Sequence, residues 1–258
     1  MRLLLGCFIL INVCVALSSC QKSINSGPIS KNGTVKITFR NMVGSNPMVL
    51  NAPSAYTNPF GEPYTITKFK YYISNVQLGL SGPPTKAIEP NSYHLIDQAV
   101  PGSLSFSFDA AENKFVTLGF LIGVDSARNT SGAQTGALDP LNDMFWTWNS
   151  GYVMAKMEGT SPASVQPNNL IEYHIGGFSG INNVIRGIGL TFPSGKFVQI
   201  RQGQTSEITV EADFNTWWQN PNDIRIATTP VCTTPGVLAK KIAENYGKMF
   251  RVTDVVNN

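Results

Sequence analysis

Thr65-Ile66-Thr67-Lys68-Phe69-Lys70-Tyr71-Tyr72-Ile73-Ser74-Asn75-Val76-Gln77-Leu78 decides the fold class. Apolar and polar residues roughly alternate along it, and a period of two marks a strand with one buried face. Threonine, isoleucine, valine and aromatic residues suit such a pleated, half-buried surface. Shorter runs of the same kind lie on both sides, bounded by Gly, Pro, Asn and Ser. They are 35–39, 93–97, 104–108, 116–124, 151–157, 170–176, 184–192, 197–200 and 206–212. Short strands in that number predict an all-β fold, an antiparallel β-sandwich of immunoglobulin-like or jelly-roll-like kind. Two helical stretches interrupt the pattern. Asp213 is placed to cap a turn over 214–218. Residues 235–246 put Leu238, Ile242 and Tyr246 on one face of a short C-terminal helix, with Gly247 as its C-cap. Met249 and Phe250 then close onto the sandwich.

The chain begins Met1-Arg2 and continues apolar through Leu17, broken by Asn12. This is the charge and apolar core of a secretory signal, too short to span a bilayer comfortably. It ends in Leu17-Ser18-Ser19-Cys20, which resembles the lipobox of bacterial lipoprotein precursors. The expected organisation is a signal peptide over 1–19, a lipidated flexible tether over 20–34 and a single domain over 35–258. One acyl chain anchors only marginally; lipoproteins resembling this one carry three. No Asp or Glu follows Cys20 until Glu62, so neither the inner-membrane retention aspartate nor a surface-export acidic tract is present. An outer-membrane lipoprotein facing the periplasm is expected. With Cys7 and Cys14 removed and Cys20 lipidated, Cys232 is left alone, which excludes an internal disulfide. Charged residues make up 14% of the chain with a net charge of +3, and no Lys/Arg stripe points to nucleic acid.

Candidate functional residues concentrate in and around 125–151, a polar segment long enough to be functional or disordered. It ends in Phe145-Trp146-Thr147-Trp148. In extended chain Trp146 and Trp148 share one side, as a packed plug or as the wall of a site. The histidines are His94 and His174, both in expected strands. Taken singly, each reads as a half-buried residue bonded to backbone. Brought together on facing strands, they make a metal site for copper, zinc, iron or nickel. Two histidines leave a zinc site incomplete, whereas Cu(I) accepts low coordination, with Met144 as an additional candidate ligand. Asp139-Pro140-Leu141-Asn142-Asp143 has the oxygen density of a calcium loop without EF-hand spacing, and reads first as a turn. There is no phosphate loop, no Ser/His/Asp arrangement in convincing context and no HExxH, so no enzyme is expected.

Several blocks together resemble the MbnP-like family, in that family's order, from about Val35 to Phe250. They are 71–76, 93–97, 123–126, 132–140, 144–152, 172–177 and 243–250, with Trp146-Thr147-Trp148-Asn149-Ser150-Gly151-Tyr152 the most specific. The lipoprotein start resembles the Bacteroidota branch. The resemblance implies a β-sandwich that binds copper in the periplasm through His94 and His174. It also implies a tryptophan, Trp148 in preference to Trp146, oxidised to kynurenine near the copper by a partner di-haem enzyme of the MauG type. The chain departs from some relatives in having Gly176-Gly177-Phe178 after the second histidine, where a cysteine-bearing loop can occur. A different reading rests on Trp146, Trp148, Trp217 and Trp218 as contact surface: a sugar- or peptide-binding lipoprotein serving a TonB-dependent outer-membrane importer. A third is a substrate protein for a haem peroxidase, in which the oxidised tryptophan matters and metal is secondary.

Overall fold

The alternating stretch is one strand of 17 residues, Pro63–Gly79. The computed structural model describes residues 32–80, 85–132, 134–146 and 151–258, with backbone alone at 85–88. In chain order the strands are β1 (Asn32–Val43), β2 (Asn46–Pro47), β3 (Tyr56–Thr57), β4 (Pro63–Gly79), β5 (Thr85–Asp97), β6 (Ser105–Ala111), β7 (Asn113–Phe115) and β8 (Thr117–Ile122). They continue with β9 (Phe145–Trp146), β10 (Gly151–Thr160), β11 (Leu170–Gly176), β12 (Arg186–Thr191), β13 (Val198–Ile200), β14 (Thr205–Asp213), β15 (Val231–Cys232) and β16 (Phe250–Asn257). The α-helices are α1 (Ser126–Asn129) and α2 (Val237–Tyr246).

Two sheets form the sandwich. One runs β16-β14-β1, with β2 and β6 also paired to β1. The other runs β12-β8-β4-β10-β11-β15, with β5 and β3 on β4 and β9 on β10. Tyr71 pairs with both Ile96 and Ala155, and Ile73 with both His94 and Ile122. Hence β5 follows one edge of β4, while β10 and β8 share the other edge end to end. The sandwich is not purely antiparallel, in contrast to the expectation: β1 pairs parallel with β14, and β11 parallel with β15. Neither pair is a hairpin, so no tight turn constrains its direction.

The imperfect alternation of β4 has a physical cause. Glu158 of β10 opposes Lys68, but Gly159 opposes Ile66, which leaves Thr67 as the extra residue of a bulge. Tyr64 and Ile66 are buried before the bulge, and Phe69 and Tyr71 after it. Lys68 and Lys70 therefore point to the outer face. A second irregularity falls at Asn75, whose φ is 52°. Between the sheets, Phe39 of β1 meets the edges of Tyr71, Phe120 and Phe250 at centroid distances of 6.2, 5.9 and 6.1 Å. Burial of such aromatic rings dominates core energetics.

The Asp213 cap is present: its carboxylate accepts from the Asn215 amide at 3.0 Å and from the Gly44 amide at 2.8 Å. On α2, Ile242 and Tyr246 are buried and Leu238 packs against the core. Other details differ from expectation. Residues 32–34, assigned to the tether, already belong to β1, which β14 and β6 extend backwards by pairing. The run 116–124 forms β8 over 117–122 only, with Val116 separating it from β7. Gly247 has φ −57°, so the helix ends without a left-handed cap. Met249 and Phe250 close onto the core as expected, but Phe250 also starts a full strand, β16, which the sequence reading did not include. The signal peptide, Cys20, most of the tether and Trp148 lie outside the described residues.

Candidate metal centre

The expected long loop is folded onto the outer face of the larger sheet by buried polar side chains. The hydroxyls of Tyr72 and Tyr152 donate to the carbonyls of Ala137 and Leu138 at 3.0 and 2.7 Å. Asn129 accepts from the Tyr152 amide at 2.8 Å, and Lys70 donates to the Asn142 carbonyl at 3.2 Å. Satisfied polar groups of this kind fix a segment that has few apolar anchors.

Under and beside this loop, strand register builds a grid of charge. Lys70, Lys156 and His174 form one row across β4, β10 and β11. Lys68, Glu158 and Glu172 form the next row on the same face. Glu158 and Glu172 stand directly opposite one another, a pairing that like charges disfavour. His174 relieves it: its Nε2 lies 2.9 Å from Glu158 Oε1 and 3.3 Å from Glu172 Oε1. The Glu158 carboxyl is lowered to about 2, chiefly by the His174 hydrogen bond and further by Lys68, against the opposing effect of burial.

Among the described residues, Glu158, Glu172 and His174 offer one ligand atom each, all within 4.8 Å of one another. A metal about 2.1 Å from each donor holds neighbouring donors about 3.0 Å apart at right angles and about 3.4 Å apart in a tetrahedron. The distances of 2.9 and 3.3 Å match those edges. One imidazole nitrogen and two carboxylate oxygens make a donor set for a divalent ion rather than for soft, thiophilic Cu(I).

Asp143 closes the grid from the loop. It lies 2.8 Å from Lys68 and 3.0 Å from Lys156, which is only 3% exposed. Burial alone would raise the Asp143 carboxyl, but the two lysines outweigh it and lower it to about 2. A carboxylate with a depressed folded-state pKa stabilises the fold above its unfolded value, and that stabilisation fades as pH falls through the range below it. Asp143→Asn is accordingly expected to destabilise most near neutrality and progressively less between about pH 4 and pH 2. Urea denaturation of parent and variant across that range tests this; a difference that does not change with pH refutes it.

The structure does not bring His94 and His174 together. His94 is three residues from Asp97, which pairs with Lys70 and lies on the His174 face, so His94 points to the opposite face. Three strand spacings of about 4.8 Å separate β5 from β11, roughly 14 Å in all. The His94 ring stacks on Phe106 at 3.5 Å, and its Nε2 meets Glu89 at 2.9 Å. Met144 is fully buried in the hydrophobic core. In the calcium candidate, Asp139 caps the following turn by accepting from the Leu141 amide at 2.9 Å, and Asp143 is taken by the lysines. Trp146, in contrast, lies on the His174 face. A Cβ added to Gly176, two residues after His174, would come within 2.3 Å of the indole Cζ3. The indole therefore reaches the face of β11 at Gly176, two residues along from His174. Trp146, Trp217 and Trp218 are buried, so none of the three offers an exposed platform for a sugar or peptide.

The family model for MbnP matches residues 32–234. The chain belongs to the MbnP family. Among solved structures, MbnP from Methylosinus trichosporium aligns with a TM-score of 0.53 and 16% sequence identity, over 75% of this chain and 80% of that one. At that identity the likeness speaks for the fold alone. Comparison with curated proteins finds no match.

In this MbnP-family chain the period-two spacing of Glu172 and His174 was a readable sign that both share a face. Glu158 was not readable as their neighbour. Its place follows from the β10–β11 register, in which Glu158 opposes Glu172 across a hairpin loop of 161–169.

Proposed function

We propose that this protein binds copper without turnover of its own, and that His174, Glu158 and Glu172 hold it as Cu(II). The observation that carries the reading is the convergence of three donor atoms within 4.8 Å of one another, with His174 Nε2 at 2.9 and 3.3 Å from the two carboxylates. Family membership and the copper association that the sequence resemblance implies supply the choice of metal. The nitrogen–oxygen donor set supplies the oxidation state. Trp148, or Trp146, whose indole meets β11 at Gly176 two residues from His174, is the tryptophan oxidised to kynurenine by a di-haem partner of the MauG type. Cys20 carries the lipid that tethers the domain to the outer membrane on its periplasmic side, in a role in copper uptake that a TonB-dependent importer serves.

The test is a Cu(II) titration of the purified protein against a chromophoric chelator. The parent binds one Cu(II). Loss of a partner one shell removed from a metal lowers affinity about ten- to a hundredfold, so loss of a ligand in His174→Ala is expected to lower it by at least about a hundredfold. Glu158→Gln and Glu172→Gln lower it by at least about tenfold, and His94→Ala leaves it unchanged. Undiminished binding by His174→Ala would sink the reading. Intact-mass analysis of protein from its native host shows whether any tryptophan has been converted to kynurenine, and peptide mapping shows which.

A further inference from the structure

Glu158 is not free to serve a metal with both oxygens. Its Oε1 faces His174, while its Oε2 lies 3.2 Å from the Lys68 ammonium. That ammonium is held in place from behind, because Asp143 Oδ2 lies 2.8 Å away. Asp143 in turn rests on the loop turn that follows Asp139, with φ 61°, and its other oxygen is committed to Lys156. The bulge at Thr67 turns Lys68 to this face, opposite Glu158. Lys68 therefore cannot swing away without breaking its bond to Asp143. Lys156 lies farther from Glu158, at 3.9 Å.

We propose that Lys68 is a built-in competitor of the metal: its ammonium occupies Glu158 in the free site and repels the bound ion, so it sets how tightly that ion is held. The inference rests on the metal-site reading above. A cation bound at Glu158 Oε1 shares one carboxylate with the ammonium held at Oε2, which keeps the two charges a few ångströms apart. That is well inside the screening length of about 8 Å at physiological salt. The repulsion is therefore felt in solution, and it grows with the charge of the ion. A site with such a competitor exchanges its metal rather than sequestering it, which fits delivery better than storage.

Lys68→Met and Lys68→Gln remove the ammonium, and Lys68→Arg keeps the charge. In a Cu(II) titration against a chromophoric chelator, both neutral variants are expected to bind at least tenfold more tightly than the parent. The arginine variant is expected to stay within about threefold. Thermal unfolding establishes which variants are folded, and the glutamine variant carries the test if the methionine variant is not. Neutral variants that bind no more tightly than the parent, while His174→Ala still loses binding, overturn the proposal and leave the metal site standing. If His174→Ala also binds as the parent does, the metal-site reading itself fails.

Discussion

Gly159→Ala is expected to destabilise the protein by about 3 kcal/mol or more, and to lower the melting temperature by roughly 6–12 °C. A Cβ on Gly159 would stand 1.9 Å from the Thr65 carbonyl oxygen and 3.0 Å from its carbon. The obstacle is backbone of the neighbouring strand, so no rotamer change relieves it. Gly159 sits in β10 at the point where the register with β4 jumps past Thr67. Forcing the strands apart there displaces Glu158, the residue before Gly159 in β10 and a proposed ligand. The variant is therefore expected to lose Cu(II) affinity along with stability. Differential scanning calorimetry gives the first effect; a melting temperature within about 2 °C of the parent would show that β4 and β10 do not approach as closely as described.

Gly176→Ala is expected to act differently, because its obstacle can move. The added Cβ would meet Trp146 Cζ3 at 2.3 Å and Cη2 at 2.5 Å, with the Tyr152 carbonyl at 3.1 Å. The indole must leave the strand, and an aromatic ring displaced from a packed site costs about 2 kcal/mol. Trp146, now only 7% exposed, should become accessible to a collisional quencher. Fluorescence quenching with Gly176→Ala built into a Trp148→Phe background reads this, since Trp217 and Trp218 are buried at 1%. No gain in quenchable signal would contradict the placement of Trp146 against β11.

How far the sequence was legible depends on whether local pattern or long-range pairing decided the feature. β11 could be read to its ends, because Leu170 to Gly176 alternates cleanly and is followed by Gly177. β4 could be read as a strand but not face by face, since the bulge at Thr67 and the turn of Asn75 each reset the parity of the buried side. β16 was missed although Arg251-Val252-Thr253-Asp254-Val255-Val256 is rich in β-branched residues; its identity rests on pairing with β14, forty residues earlier in sequence at the Arg251–Glu211 contact. The candidate site divides in the same way. His174 was found from residue type and Glu172 was implied by spacing. Glu158, Lys68 and Asp143 join them through register and loop packing, which one strand's sequence does not encode. His94 was drawn in by residue type alone, and the parity of β5 turns it to the other face.

In the proposed site one histidine and two carboxylates hold the metal. Pulsed electron paramagnetic resonance of the Cu(II)-loaded protein counts the coordinated imidazoles. A single imidazole, lost in His174→Ala and retained in His94→Ala, is the predicted result. Two equivalent imidazoles, with the signal altered by His94→Ala, would contradict it.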